Sequence, residues 1–333
     1  MGTSLRGTGS EPLLKRGRVD PLGVVFVVVA AIGFGTLGPL ARFASDVGFT
    51  AVAFALWRAT SSVVALVVFL ALGVMLGRVP TTRLRSISRI EWLQLAAMGG
   101  FVAGTTISLF FAFERTTIAT ALIVFYTFPV WVAIAAVPFF GEHLGRRKSA
   151  AIALSGVGLV LLLASPGASG AIDPIGVGLA LLASLCQTGF ALVGAGGFRS
   201  VPPLQSAALL RLFSLSIYGV LLVPLLVLLG QGHTVLEPID SAEAWVLILT
   251  AGIVGAAIPA VLILAGYRRV GPTRGAVLML VEPVTGVLLA MLLLAEQPTL
   301  LQLAGGVLVL VGAALVQLAP VHKPSPETQP ATE

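Results

Sequence analysis

The chain contains few of the residues that build disulfide frameworks, metal sites and water-soluble surfaces. Of its 333 residues, one is cysteine, three are histidine and 10% are charged. A lone cysteine, Cys186, excludes a disulfide framework or a cysteine metal site within one chain. Average soluble chains are about 25% charged, so this composition excludes a water-soluble surface. We therefore expect neither a metal site nor a bound cofactor.

Apolar residues, in contrast, make up 57% of the chain and occur in long blocks. These blocks have roughly the 20 residues that a helix needs to cross about 30 Å of hydrocarbon. They do not alternate between apolar and polar residues, as the strands of a membrane barrel do. We predict an all-α membrane protein with ten transmembrane helices, over Pro21–Leu40, Ala51–Leu76, Trp92–Phe113, Thr117–Phe140, Ser149–Ala164, Ile175–Phe198, Gln205–Leu229, Ala244–Gly266, Arg274–Leu294 and Leu301–Leu318.

Basic residues segregate to one side of these predicted helices. Of the 20 lysines and arginines, only Arg42 and Arg115 fall on the opposite side, while Arg58 and Arg211 fall inside helices. Positive residues near the ends of membrane helices tend to stay in the cytoplasm, so we expect both termini to be cytoplasmic. The net charge of +6 comes from these short loops, and no nucleic-acid partner is expected.

The chain repeats itself once. Five pairs of landmark residues recur at offsets of 153 or 154 positions: Arg58 and Arg211, Trp92 and Trp245, Pro129 and Pro283, Glu142 and Glu296, and Gly158 and Gly312. Each half holds five predicted helices, and an odd number forces the second half into the membrane upside down. Such inverted repeats typically bind substrate near the membrane midplane, where two bundles meet, and expose it to alternate sides by rocking.

This repeat divides the chain into four predicted segments. A cytoplasmic tail covers residues 1–20, the first five-helix repeat covers 21–165 and the second covers 173–319. The remaining residues, 320–333, are rich in Pro, Thr and Glu and carry too little apolar surface to fold alone. We expect this last segment to be a disordered cytoplasmic tail.

The fourth predicted helix and its copy in the second half carry a family resemblance. The pattern Tyr126-Thr-Phe-Pro129 running to Gly141-Glu142 is matched by Val281-Glu-Pro283 running to Ala295-Glu296. Together with the duplicated five-helix unit over about 21–320, these motifs resemble the EamA family of the drug/metabolite transporter (DMT) superfamily. The resemblance implies a ten-helix carrier in the plasma membrane, the inner membrane of a bacterium, often an exporter of amino acids or related metabolites. Ala295 departs from the usual Gly-Glu ending of the family pattern.

Two prolines, Pro129 and Pro283, interrupt the fourth and ninth helices near mid-membrane. Each frees a backbone carbonyl four residues earlier, at Phe125 and Met279. In lipid, that carbonyl must find protein or water, so we expect these kinks to face a central cavity. A packing kink without ligand contact is the alternative interpretation.

Glu282 is the one carboxylate that the sequence places deep inside a predicted helix. An ionisable residue at that depth is a functional-site hypothesis by default. Burial favours its neutral form, which suits a proton-coupling group or a ligand for a substrate ammonium group. The alternative is a structural, hydrogen-bonded glutamate.

Arg58 and Arg211 lie about eight residues into the second and seventh helices. Their guanidinium groups are able to clamp a carboxylate or phosphate, or to extend to the nearer interface and anchor the helix. With Glu282, the predicted substrate-binding set comprises Arg58, Arg211, Tyr126, Trp131 and Gln187, and Trp57 and Tyr218 are further candidates to line a cavity. Glu142 and Glu296 are interpreted as residues that pair at helix ends.

The predicted function is secondary transport of a small metabolite by alternating access. Two arginines against one glutamate favour a zwitterion or anion such as an amino acid, and the resemblance implies export. No GxxxxGK[ST] pattern is present for direct use of ATP. A passive channel or facilitator is the main alternative; a scaffold or a membrane-embedded enzyme ranks lower, because catalytic groups in mutual reach are lacking. The expected partners are the substrate and the lipid bilayer, and homodimer formation is left open.

Overall fold

The computed structural model describes residues 20–140, 145–164, 173–194, 200–228, 230, 232, 239, 241–270 and 272–318. Within these ranges the predicted all-α, ten-helix fold is confirmed, and no strand is found. Spans 1 to 10 are Pro21–Asp46, Ala51–Met75, Arg89–Arg115, Ile118–Ala135, Arg146–Ala164, Pro174–Gly194, Pro203–Leu228, Ala242–Val270, Gly275–Leu293 and Leu300–Leu318. The predicted tails, 1–19 and 320–333, and Glu142 lie outside the described residues.

Span 1 is longer than the sequence predicted. It continues beyond Leu40 as a second helical piece, Leu37–Asp46, after a break at Thr36. The polar residues of this piece suggested a loop, but Arg42 donates a hydrogen bond to the carbonyl of Thr116 at 3.2 Å. Because its polar groups find protein partners at the end of span 3, the helix continues to the surface of the bundle.

Hydroxyl side chains begin four of the spans. Thr50, Ser88, Thr117 and Ser241 each accept a hydrogen bond from the backbone amide three residues later. At Ser88 the bond is reciprocated by Glu91, which forms a capping box. The first amides of a helix have no intrahelical partner, so these caps satisfy the groups that would otherwise be unpaired at the membrane boundary.

The packing of the spans follows the predicted inverted repeat. Span 1 packs on span 8 as span 6 packs on span 3, and span 2 packs on span 8 as span 7 packs on span 3. Span 9 contacts span 1 in the same way that span 4 contacts span 6. The self-related pairs, 2 with 7, 4 with 9 and 5 with 10, are also in contact. These contacts therefore reappear when each span is replaced by its counterpart in the other half.

Two ion pairs show the same inversion at the level of atoms. Asp20 binds Arg269 at 3.0 Å and Asp173 binds Arg115 at 3.0 Å. The aspartates are 153 positions apart and the arginines 154, and each aspartate also caps the span that follows it. Five spans separate the two aspartates, so the equivalent pairs lie at opposite faces of the bundle.

Both of these aspartates titrate below their ordinary range. Hydrogen bonding to Arg269 lowers the pKa of Asp20, while the backbone amide of Ile175 and then Arg115 lower the pKa of Asp173. A lowered carboxylate pKa stabilises the folded protein at pH values above the ordinary aspartate pKa. This stabilisation is lost as the pH falls through the lowered pKa of the folded state. The two pairs therefore persist at neutral pH and weaken only in acid.

Spans 5 and 10 cross closely because glycine lines their contact. A Cβ atom on Gly158 would lie 2.6 Å from the carbonyl oxygen of Gly305, and one on Gly312 would lie 2.7 Å from that of Ala151. Between these contacts, the Ser155 hydroxyl donates to the Val309 carbonyl at 3.3 Å. The contact of Gly312 with Ala151 is the counterpart of the contact of Gly158 with Gly305, because both pairs of equivalent residues are 154 positions apart. Ser155 and Val309 are themselves equivalent at the same offset. The pseudo-two-fold axis therefore passes through this crossing.

The basic loops meet at one face of the bundle. The loop that contains Arg78, Arg83 and Arg85 contacts the first turn of span 7, where Gln205 Nε2 donates to the Thr82 carbonyl at 2.7 Å, and the loop before span 7, where the Thr82 hydroxyl donates to the Ser200 carbonyl. Arg268, at the end of span 8, donates to the Val201 carbonyl of the same loop at 2.7 Å. The basic residues of the loop before span 3 and at the end of span 8 therefore lie on the same face of the bundle.

Candidate functional site

The fourth and ninth spans are both broken where the sequence predicted proline kinks. Span 4 is helical over Ile118–Phe125 and resumes at Phe128, and span 9 is helical over Pro272–Leu278 and resumes at Val281. Pro129 and Pro283 are buried in the first turn of the resumed helices. Because spans 4 and 9 pack on each other, the two breaks belong to the same central region.

A tyrosine from one half binds the break in the other half. The Tyr126 hydroxyl donates to the carbonyl of Met279 at 3.0 Å, in a buried environment. Met279 is the residue four positions before Pro283, so its carbonyl cannot accept the usual helical hydrogen bond from that proline. The Glu282 amide also donates to it, at 2.9 Å. The carbonyl that the proline frees is therefore satisfied by protein.

The break in span 4 is held by a set of hydroxyl groups. Thr127 Oγ1 donates to the Val124 carbonyl at 2.7 Å and lies 3.1 Å from the Ser184 hydroxyl of span 6. Trp131 Nε1 donates to Thr127 Oγ1 at 3.2 Å. One turn after Ser184, Thr188 contacts the Phe128 carbonyl at 3.4 Å. The predicted cavity residue Trp131 is thus fixed against the break.

Glu282 lies in the first turn after the break in span 9. Its side chain interacts with Tyr126 and lies within electrostatic range of Tyr267 of span 8. We name Tyr126, Tyr267 and Glu282 the tyrosine–glutamate cluster. Gly35 of span 1 approaches so closely that an added Cβ would lie 2.8 Å from the Glu282 carbonyl oxygen. Helix amides at the start of the resumed helix favour an acidic side chain there.

Arg58 and Arg211 form a second group, which we name the arginine pair. Their residues are 2% and 8% exposed. Arg58 Nη2 donates to Thr106 Oγ1 of span 3 at 3.3 Å, and its guanidinium lies over the Phe110 ring at 5.2 Å. The two arginines, one from each half, lie within electrostatic range of each other. Span 3 therefore holds Arg58 inside the protein.

The remaining predicted cavity residues separate into different surroundings. Tyr218 is buried, donates to the Ala103 carbonyl at 3.3 Å, and lies within electrostatic range of both arginines. Trp57 packs edge-on against Trp245, with ring centroids 6.2 Å apart. Gln187 is partly buried on span 6, three residues after Ser184. Tyr218 thus joins the arginine pair, whereas Trp57 is engaged in an aromatic contact.

Glu296 serves a helix end, as its position suggested. Its carboxylate accepts hydrogen bonds from the Ile118 and Ala119 amides at 2.9 and 3.4 Å. These amides begin span 4, so Glu296 of the second half caps the broken span of the first. Its counterpart, Glu142, lies outside the described residues.

The sequence does not single out several of the residues at these sites. Thr106, Thr127, Ser184 and Tyr267 are ordinary polar or aromatic residues within apolar blocks, and only packing shows which partner each meets. A usable signal existed for Thr127, because a hydroxyl residue two positions before a proline is placed to satisfy the interrupted backbone. Among the described residues, no three His, Cys, Asp or Glu side chains group together as metal ligands.

These features define a class: a multi-pass membrane protein with an inverted repeat and two broken spans at its centre. The model of the EamA-like transporter family matches residues 21–164 and 174–318, and the chain belongs to that family. It is similar to the uncharacterized transporter YxxF of Bacillus subtilis (strain 168), with 23% identity over 235 residues, which cover 68% of this chain and 70% of that protein. A crystal structure of a protein with 21% identity matches at a TM-score of 0.55, over 88% of this chain and 95% of the other.

Proposed function

We propose that the protein is a secondary carrier that exports a small zwitterionic or anionic metabolite, such as an amino acid, by alternating access. The supporting observation is the contact between Tyr126 of the first half and the interrupted backbone at Met279 of the second. This contact ties the two broken spans together at the junction of the repeats. Inverted-repeat carriers bind their substrates at such junctions, between discontinuous helices.

The symmetry of the packing supports two interchangeable states. Because the contacts of span 1 with 8, 2 with 8 and 9 with 1 have counterparts in the other half, exchanging the conformations of the halves yields a state that opens to the opposite side with similar contacts. Two states of similar free energy are what a carrier requires, since substrate then shifts the population between them. A fixed pore has no such requirement.

The tyrosine–glutamate cluster supplies the polar chemistry beside the breaks. The Glu282 carboxylate is suited to hold a substrate ammonium group or to carry a coupled proton, and Tyr126 and Tyr267 surround it. The arginine pair supplies positive charge from spans 2 and 7. A zwitterion fits this combination of charges.

The proposed location is the bacterial inner membrane, with both termini in the cytoplasm. The described basic loops lie on one face of the bundle, where the loops before spans 3 and 7 contact each other. Positive loops are retained in the cytoplasm. Export then proceeds toward the face that carries Arg42 and Arg115.

The test is substrate counterflow in liposomes that contain the purified protein. Candidate substrates come from comparing extracellular metabolites of cells that overproduce the wild-type protein with those of cells that make Glu282→Ala. We expect one compound class to accumulate only with the wild type and to show saturable counterflow. Flux that neither saturates nor shows counterflow would identify a channel or facilitator, and no flux of any exported compound would contradict transport.

A further inference from the structure

The arginine pair lies at the contact of spans 2 and 7, which are equivalent in the two halves. Arg58 and Arg211 are 153 positions apart and within electrostatic range of each other. The residues that surround them are Thr106 and Phe110 of span 3 and Tyr218 of span 7. Both halves of the protein therefore contribute one cation to the same interior region.

This region contains no compensating negative charge among the described residues. Among the described residues, neither guanidinium forms an ion pair with a carboxylate. A buried cation without a partner is costly, and two cations close together add repulsion. In the described parts of the chain, the Asp and Glu side chains in ion pairs bind Arg115 and Arg269 at the faces of the bundle, away from this pair.

Arg58 also has an unused hydrogen-bond donor. Its residue is 2% exposed, and Nε has no hydrogen-bond partner in the described structure, although Nη2 is bound to Thr106. Buried guanidinium nitrogens nearly always donate to an acceptor. For Arg211 no hydrogen bond from the guanidinium is found among the described residues, and its electrostatic neighbours are Arg58 and Tyr218. Arg58 Nε and the Arg211 guanidinium thus have no acceptor among the described residues.

We propose that Arg58 and Arg211 together bind the oxyanion of the transported compound, a carboxylate or phosphate group. The inference rests on the proposed carrier function and names the chemical group that the carrier recognises. Guanidinium groups bind planar or tetrahedral oxyanions through two parallel N–H···O bonds. One oxyanion shared by the pair neutralises the charge that neither half balances alone.

Placement on equivalent spans gives this site a role in both transport states. Exchanging the conformations of the two halves exchanges Arg58 with Arg211, so the pair contributes one cation from each half before and after the exchange. The oxyanion keeps a guanidinium partner throughout the movement. A site built on one half would lose this property.

The wild-type protein tests the proposal through matched ligands. Thermal unfolding of the purified protein in lipid nanodiscs is measured with amino acids against their amino alcohols, and with phosphate monoesters and inorganic phosphate against the parent alcohols. Ligand binding raises the unfolding midpoint with concentration. We expect at least one carboxylate or phosphate compound to raise the midpoint and its counterpart without the oxyanion to leave it unchanged. The two series distinguish a carboxylate site from a phosphate site.

Variants then assign the effect to the arginines. Arg211→Gln should weaken binding of the active anion by about 10- to 100-fold, as expected for loss of a hydrogen-bonded charge, and Arg211→Lys should lose less. Arg85→Gln, an exposed loop position, is the matched control and should bind as the wild type does. The wild-type comparison stands even if Arg211→Gln does not fold.

Two results would overturn the arginine site. One is a wild-type protein that shows no preference for the oxyanion-containing compounds over their counterparts without the oxyanion, or that responds to none of the compounds. The other is a folded Arg211→Gln protein that keeps the wild-type preference. Counterflow of a compound without an anionic group would remove the arginine site and keep the carrier, whereas anion binding without counterflow would keep the site and remove the carrier.

Discussion

At the scale of single residues, the interior polar groups of this protein differ in how completely they are satisfied. The Met279 carbonyl, freed by Pro283, receives both the Tyr126 hydroxyl and the Glu282 amide. Arg58 in contrast keeps a buried Nε without a partner in the described structure. The hydrogen bonds to the Met279 carbonyl stabilise the fold, whereas the unpaired Arg58 Nε is a candidate donor to a ligand.

Glu282 is the residue whose role is most directly tested by pH. If it carries the coupled proton, Glu282→Gln should flatten the pH dependence of counterflow, because an amide does not titrate. Transport rates at mildly acidic and mildly alkaline pH measure this. Glu243→Gln, an exposed position at the start of span 8, should retain the wild-type profile. An unaltered profile in Glu282→Gln would leave only the ammonium-binding role for this carboxylate.

At the scale of elements, spans 4 and 9 are each divided into two helical pieces by a break. Proline alone does not break a membrane helix completely, because neighbouring groups often satisfy the freed carbonyl. Here Thr127, Ser184 and Tyr126 stabilise the open backbone. Each break is thus held in part by a side chain from another span, Ser184 of span 6 at span 4 and Tyr126 of span 4 at span 9.

Restoring the helix in span 9 should impair transport without unfolding the protein. Pro283→Ala returns an amide that competes with Tyr126 for the Met279 carbonyl. A hydrogen bond worth about 1–1.5 kcal/mol biases one state by roughly tenfold, so we expect the counterflow rate to fall by about that factor. Pro138→Ala is the control, since Pro138 is an exposed proline inside the helix Phe128–Phe140, after the end of span 4. Equal rates in the two variants would show that the break has no part in turnover.

The crossing of spans 5 and 10 should be intolerant of a single methyl group. Gly158→Ala places a Cβ 2.6 Å from a backbone carbonyl oxygen, so one span must shift, at a cost of about 1–3 kcal/mol. The thermal unfolding midpoint should fall. Gly156→Ala meets nothing within 4 Å and should leave the midpoint unchanged or slightly raised, because alanine favours helix. Identical midpoints would contradict the close crossing.

At the scale of the whole molecule, the inverted repeat relates the span packing and the two ion pairs of one half to those of the other by a pseudo-two-fold axis. Asp20 with Arg269 and Asp173 with Arg115 make the same contact at opposite faces. The same operation relates the contacts around Ser155 and Val309. An arrangement of this kind requires an odd number of spans in each half, here five, since an even number would place the copies in the same orientation.

This architecture makes a topological prediction. In a Cys186→Ser background, a membrane-impermeant maleimide added to intact cells should label Asp46→Cys, which lies exposed at the end of span 1. It should label Arg85→Cys and Arg268→Cys, also exposed, only after permeabilisation. Labelling of the last two from different sides would contradict the inverted topology and with it the carrier mechanism.

The sequence by itself determined the number of spans, the segregation of charge and the repeat. These follow from one-dimensional quantities: block length against membrane thickness, loop charge, and offsets of 153 and 154 residues. It also identified Pro129, Pro283, Glu282, Arg58 and Arg211 as unusual, because proline and charge are costly inside a membrane helix.

Only the tertiary structure decided which of these residues meet. It placed Tyr126 on the freed carbonyl of Met279, brought the two arginines of separate halves within range of each other, and engaged Trp57 with Trp245. It also extended span 1 to Asp46, because Arg42 found an acceptor on span 3. Partners of this kind lie more than 70 residues apart along the chain, and their contacts depend on how helices rotate and cross, which local composition does not record.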